Sequence, residues 1–332
     1  MGVAVCIFST PPLLYSFTPT QEVAVTTQTG RARRRISPLL LREYIAFYLF
    51  ASPWLLGLLV FTLGPMIASL MLSFADYPVI VAPKWIGLKN YVDLFTDDKL
   101  VWQSLKVTLL YSLGAIPMTL CFSFFVATLL NQQIKGVKIF RTIYYMPAVI
   151  SGVPVALLWM WMLNPEFGLV NNALRWVGIK GPQWFFSTTW VIPAFIIMNL
   201  WTIGVTMVIF LAGLKGIPDH LYEAAEIDGA GPWSKFRNVT LPMMSPIILF
   251  NVVIGIIDSF QIFTPAFIIT NGGPANASLF YGLYLYNNAF KFFKMGYAAA
   301  LAWLMFLIIL ALTGLVFRST ARWVYYEGSL IR

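Results

Sequence analysis

Residues Gly213 to Pro246 read GLKGIPDHLYEAAEIDGAGPWSKFRNVTLPMMSP, a polar segment set between two long apolar runs. Its local signals spell a short helix, a turn and a second short helix. Asp219 follows Pro218 and is placed to cap the first helix through its carboxylate. Leu221 to Glu226 are mostly good helix formers, and Gly229 can supply the positive φ that ends the helix. Gly231 and Pro232 restart the chain, since proline suits a first helical turn. Pro242 is expected to break the second helix just before the next apolar run. Two readings fit these residues. The segment is a plain connector, or it is a small rigid knob for another protein, with Ala224 and Ala225 removing bulk and Glu223, Glu226 and Asp228 offering carboxylates.

The runs on either side decide the solvent. The chain has 332 residues, of which 59% are hydrophobic and only 11% charged, and the mean hydropathy is +0.77. A helix needs about 20 mostly apolar residues to cross the hydrocarbon. Six stretches meet that length: Tyr44 to Phe74, Val107 to Leu130, Ile143 to Leu163, Trp190 to Leu214, Ile247 to Thr270, and Tyr297 to Phe317. They are apolar all round and too long for strands, and lipid demands internal backbone bonding, so they read as membrane helices. Pro65, Pro117, Pro154, Pro193 and Pro265 mark expected kinks. Trp85, Trp102, Trp184 and Trp190 lie near expected span ends, as an aromatic belt requires. Cys121 falls inside an apolar run and reads as a buried structural thiol, and with Cys6 it makes no disulfide framework.

Charge gives the orientation. An even number of spans puts both ends on one side. Of the 22 Lys and Arg residues, 14 fall on the side of the two termini and the quoted loop, and 8 on the other. The positive-inside rule then places both termini in the cytoplasm. The net charge of +9 is spent on this asymmetry, so no nucleic-acid partner is expected. Residues 1–36 are polar and basic after a short patch broken by Pro11 and Pro12. They read as a disordered cytoplasmic tail whose Arg31, Arg33, Arg34 and Arg35 face anionic membrane lipid. Residues 37–332 form the membrane domain, its core running over about 104–318 and its loop over 214–246.

The loop resembles the EAA motif of ABC importer permeases. Glu223, Ala224 and Ala225 are followed after three residues by Gly229, and nine residues later by Val239, Leu241 and Pro242. The spacing fits throughout, with Val239 where isoleucine is frequent. The resemblance implies an all-α integral membrane protein, a six-helix bundle of the type I importer kind. It also implies that Glu223, Ala224, Ala225, Asp228, Gly229, Leu241 and Pro242 meet a separate ATPase. Since the chain has no G-x-x-x-x-G-K-[ST] phosphate loop, ATP hydrolysis falls to that partner. No enzyme activity and no cofactor are expected of this chain. Three further stretches resemble the carbohydrate subfamily of maltose-type and glycerol-phosphate-type permeases: WIGLKNYVDLF from Trp85, LNPEFGLVNNAL from Leu163, and DSFQIFTPAFIITNGGPANAS from Asp258, including Thr270, Gly272, Gly273 and Pro274. The subfamily implies two ATPase subunits, a second, homologous permease, an extracytoplasmic binding protein and a sugar substrate, in the plasma membrane of a bacterium or archaeon.

A sugar pathway wants aromatic platforms and neutral hydrogen-bonding groups. Asp258 stands out as an acid expected near the middle of the fifth span, where a carboxylate must face a wet cavity or the bundle interior. Asn251, Gly255 and Asp258 share one helix face, with Phe260 and Gln261 beside them. This face is either part of the solute pathway or a network holding helices together. Asn199, Trp201 and Thr202 on the fourth span are further pathway candidates. The rivals are weaker. A membrane enzyme would need clustered acids, histidines or ligands, but His220 is the one histidine, and Asp97 and Asp98 read as a solvated loop. An ion-coupled carrier would show several intramembrane charges and inverted halves. A permease for an amino acid or phosphate remains the alternative within the ABC class.

Overall fold

The computed structural model describes residues 38–132, 135–150 and 152–325. The expected tail over 1–36 lies outside the described residues. The chain divides into two units, Met1–Leu58 and Leu59–Arg332. The described part of the first is the helix Pro38–Gly57, apolar and without buried residues. The second unit is helical apart from two short strands, Ala75–Asp76 and Lys84–Trp85, paired antiparallel.

Four helical runs have the length and composition to cross a membrane: Leu39–Ser73, Lys99–Leu130, Pro232–Phe260 and Met295–Thr320. Two more spans are each built from two helices. The third comprises Val137–Val149 and Gly152–Met162. The fourth comprises Val191–Leu200 and Gly204–Gly216, bent by 50°. Up to six spans are therefore present among the described residues when each pair counts once, with the third and fourth broken between their two helices. In the fourth, Gly204 is a cause that can be named. A Cβ there would stand 2.5 Å from the Tyr144 carbonyl oxygen, so the backbones of the third and fourth spans touch only because the side chain is absent.

Proline breaks less than the sequence implies. Pro242 does not end a helix. Residues 232–260 form one run, with a π-helical turn at Phe236–Thr240 directly before Leu241 and Pro242. The wider turn absorbs the missing N–H and the ring clash. The same device precedes Pro65, where Leu58–Leu63 is π-helical. At its other end the fifth helix stops earlier than expected. It closes at Phe260, and Ala266–Thr270 is a separate turn beginning after Pro265. Asp258 is thus third from the end of its helix, not near its middle.

The second span is the axis of the bundle. Its first half, from Val101 to Ala115, packs into a hydrophobic cluster with Phe195, Phe280, Tyr281 and Leu301. Its last turns, from Val126 to Leu130, join a second cluster with Met207, Phe210, Leu214 and Met244. Edge-to-face ring pairs lock the first cluster, Tyr111 on Phe280 at 5.3 Å and Phe195 on Phe280 at 5.3 Å. Hydroxyls tie it further. The Tyr281 backbone N–H donates to Thr108 Oγ1 at 2.9 Å, and its phenol donates to the Leu301 carbonyl at 2.9 Å.

Some side chains lie elsewhere than expected. Cys121 is exposed on the single chain rather than buried, because it falls on the outward face of the second span. Trp184 is no belt residue. It is buried and donates through Nε1 to Asn171 Oδ1 at 2.7 Å. Asp97 is exposed, but Asp98 is not a solvated loop acid. Its carboxylate accepts from the Leu100 N–H at 2.9 Å, from the Tyr297 phenol at 2.6 Å and from the Tyr284 phenol. Burial, and then the bond to Asp98, push the Tyr284 phenol well above its usual range, so it remains a donor.

Candidate functional sites, the loop and the cavity

The loop helix is Asp219–Ile227. Asp219 lies in its first turn, not at its cap. The capping position is Pro218, which has no side-chain acceptor, so the expected carboxylate cap is absent. The other end is closed tightly. Gly229 has φ +75, its N–H bonds the Glu226 carbonyl at 2.9 Å, and the Ala230 N–H bonds the Ala225 carbonyl at 2.8 Å. This pair of bonds is the Schellman arrangement. Pro232 then begins the next helix at its first position.

This elbow is fastened to the bundle on one side and free on the other. Leu221, Tyr222 and Val239 pack against the second hydrophobic cluster, and the Tyr222 hydroxyl bonds Thr240 Oγ1 at 2.9 Å. Glu223, Ala224, Asp228 and Gly229 are exposed, as is Leu241, while Ala225 and Pro242 are half-buried. Glu226 is paired with Lys235. Glu223 and Asp228 have no ion-pair partner among the described residues, so the knob offers two free carboxylates rather than three. His220 is exposed in the first turn. The sequence reading missed Ile227 and Trp233. They are 87% and 72% exposed, unusual for such apolar side chains, and they flank the Gly229 turn. Their signal was present as two large apolar residues in an otherwise small and polar loop.

The second site is a cavity of about 420 Å³ lined by the second, third, fourth and fifth spans. Asn199, Asn251, Gly255 and Asp258 all line it. Asn199 Nδ2 donates to Thr119 Oγ1 at 2.9 Å, and buried Asn251 donates to the Ile247 carbonyl of its own helix at 2.8 Å. Asp258 is exposed toward this space. A Cβ on Gly255 would lie 3.3 Å from the side chain of Ile116, so this glycine also sets how near the second and fifth spans lie. Phe260 and Gln261 do not line the cavity. Phe260, the last residue of the helix, is buried in packing, and Gln261 is exposed just past the helix end. Trp201 stands edge-to-face with Trp159 at 6.0 Å, while Thr202 does line the space. Tyr111, Thr119, Thr206 and Ser259 were missed. Spacing could have found several of them, since Tyr111, Ala115 and Thr119 recur every four residues, as do Thr202 and Thr206.

Among the described residues no three of His, Cys, Asp or Glu come together as a metal site. The cavity holds amides, hydroxyls, aromatic surface and a single carboxylate. The family described as "Binding-protein-dependent transport system inner membrane component" matches residues 119–325. The chain belongs to this family. It is thus a permease, a transport subunit whose ATPase is a separate protein. "Probable ABC transporter permease protein YesP" of Bacillus subtilis (strain 168) is 43% identical over 306 residues, covering 91% of this chain and 99% of that one. The "Lactose transport system permease protein LacF" of Rhizobium radiobacter is 33% identical, covering 81% and 92%. Among solved structures, a bacterial ABC transporter that imports the acidic polysaccharide alginate superposes with a TM-score of 0.74 at 25% identity, covering 85% of this chain and 97% of that one. That transporter is also known in complex with its periplasmic protein carrying an alginate pentasaccharide.

Proposed function

We propose that this permease carries a saccharide or related polyol, delivered by an extracytoplasmic binding protein, across a bacterial or archaeal plasma membrane. It works as one half of a permease heterodimer driven by two ATPase subunits. The observation that carries the reading is the cavity between the two hydrophobic clusters. Its aliphatic walls carry neutral hydrogen-bonding groups, Thr119, Asn199, Thr202, Thr206, Asn251 and Ser259, beside the Tyr111 ring, groups that a polyhydroxylated solute can use. The named solutes of the lactose and alginate relatives support the same class.

In this reading the elbow at Glu223–Gly229 faces the cytoplasm and seats in the ATPase. The Schellman closure fixes the shape of the knob, and Tyr222 and Val239 tie it to the lower cluster, so displacement of the elbow reaches the fourth and fifth spans at the cavity floor. Asp258, Asn199 and Asn251 are the groups that meet the solute. The test is reconstitution with the ATPase, partner permease and binding protein in vesicles, with mass spectrometry of the ligand that the binding protein carries. A saccharide ligand and ATP-dependent uptake are expected. An amino acid or phosphate in the binding protein overturns the solute class, and uptake driven by an ion gradient without ATP overturns the mechanism.

A further inference from the structure

A second cleft, of about 860 Å³, opens beside the elbow at the ends of the second and fourth spans. Its lining is of two kinds. Lys138, Arg141 and Lys215 bring three cations, against one acid, Asp219. Ile139, Ile217 and the Tyr222 ring bring apolar surface. The Arg141 guanidinium is held in place, since Nη2 donates to the Leu130 carbonyl at 2.8 Å. Its Nε is buried and has no hydrogen-bond partner among the described residues. That unpaired donor adds to the cost of holding the charge here, and the cleft itself is lined by the cationic side chains of Lys138, Arg141 and Lys215. Ile217 and Tyr222 also belong to the second hydrophobic cluster or pack against it, but the three cations serve neither that cluster nor the solute cavity.

We infer that this cleft binds the phosphate of an anionic membrane lipid. The position fits, because the cleft lies where the second and fourth spans end and the third begins. The mixed lining fits an amphiphile, with cations for a phosphate diester and apolar side chains for the glycerol and upper acyl chain. The neighbouring helix Val137–Val149 exposes Ile139, Phe140 and Ile143, which continues the apolar boundary. The ATPase is a poorer occupant. The exposed side of the elbow carries the free carboxylates Glu223 and Asp228, which call for a basic partner, whereas this cleft calls for an acidic one. Tyr222 and Asp219 belong to the loop helix itself, so a lipid held here braces the elbow and sets how firmly it stands against the bundle. The inference does not depend on which solute is carried.

The experiment compares the assembled transporter with one bearing Lys138→Gln and Lys215→Gln. Both lysines are exposed, so neither change removes packing. Native mass spectrometry is run from bilayers of phosphatidylcholine doped with phosphatidylglycerol. The expected result is one retained phosphatidylglycerol per copy of this chain, with affinity falling about fivefold for each lysine removed. In pure phosphatidylcholine no lipid is retained at this site. Equal retention by the wild type and the variant overturns the inference. So does displacement of the lipid by inorganic phosphate at matched concentration, which assigns the cleft to a free anion instead.

Discussion

The elbow and the solute cavity are built on opposite terms. The elbow keeps its shape through backbone bonds and leaves its side chains in the open. A Schellman closure, a first-turn proline and a π-turn define it, while Glu223, Asp228, Ile227 and Trp233 face outward. In the cavity the backbone is interrupted and the side chains do the bonding. The fourth span breaks around Trp201 to Ile203, and Asn199 reaches across to Thr119. In the proposed function the elbow transmits force and needs a fixed frame, whereas the cavity accepts and releases a solute and needs groups that can exchange partners. The contrast also explains why a spacing rule reads the elbow more readily than the cavity lining.

The comparison can be broken most sharply at Gly229. Gly229→Val places a β-branched residue at positive φ, which costs roughly 1–2 kcal/mol locally and opens the closure. Transport and ATPase co-purification should fall more than tenfold while the level of permease in the membrane holds. Retention of the full complement of ATPase would show that the closure is not needed for docking. Next is Asp258→Ala, which should lower uptake about tenfold and leave assembly intact, read by whole-cell uptake beside pull-down of the partners. Unchanged uptake removes Asp258 from the pathway.

A smaller effect is expected at the far end from the elbow. Asp98→Ala strands two tyrosine hydroxyls and one helix N–H, at about 2 kcal/mol, and should lower the thermal midpoint of the purified complex without changing the basal ATPase rate. The smallest effect belongs to Lys235→Ala. An exposed pair with Glu226 contributes less than about 1 kcal/mol, so neither the midpoint nor uptake should move measurably. A large loss there would mean that Glu226 must be neutralised for the ATPase to seat.

The six membrane segments were legible because apolar length is a one-dimensional property, and the elbow because its Gly and Pro positions act locally. Helix ends were less legible. Pro242 looked like a stop and proved to be spanned by a π-turn, since proline forbids one bond but not the helix around it. Asp98 read as solvated because its partners, Tyr284 and Tyr297, are almost two hundred residues away. Two of the stretches shared with sugar permeases turn out to hold structural fasteners. Buried Asn90 donates to the Ser73 and Ala75 carbonyls, and Asn171 to those of Pro165 and Pro182. No spacing rule separates such fasteners from residues that touch a solute. Phe260 and Gln261 fall outside the cavity lining, since Phe260 ends its helix with its ring in the core and Gln261 lies past that end.

The two hydrophobic clusters strung along the second span, with a polar gap between them, have a mechanical consequence. Each cluster is interdigitated and resists shear, whereas the layer of amides and hydroxyls between them can be rearranged at little cost in packing. Twisting one end of the subunit against the other should therefore deform the middle first, where the proposed cargo site lies. Under the proposed mechanism the weakest tier of the protein is also the one that gives way on every cycle.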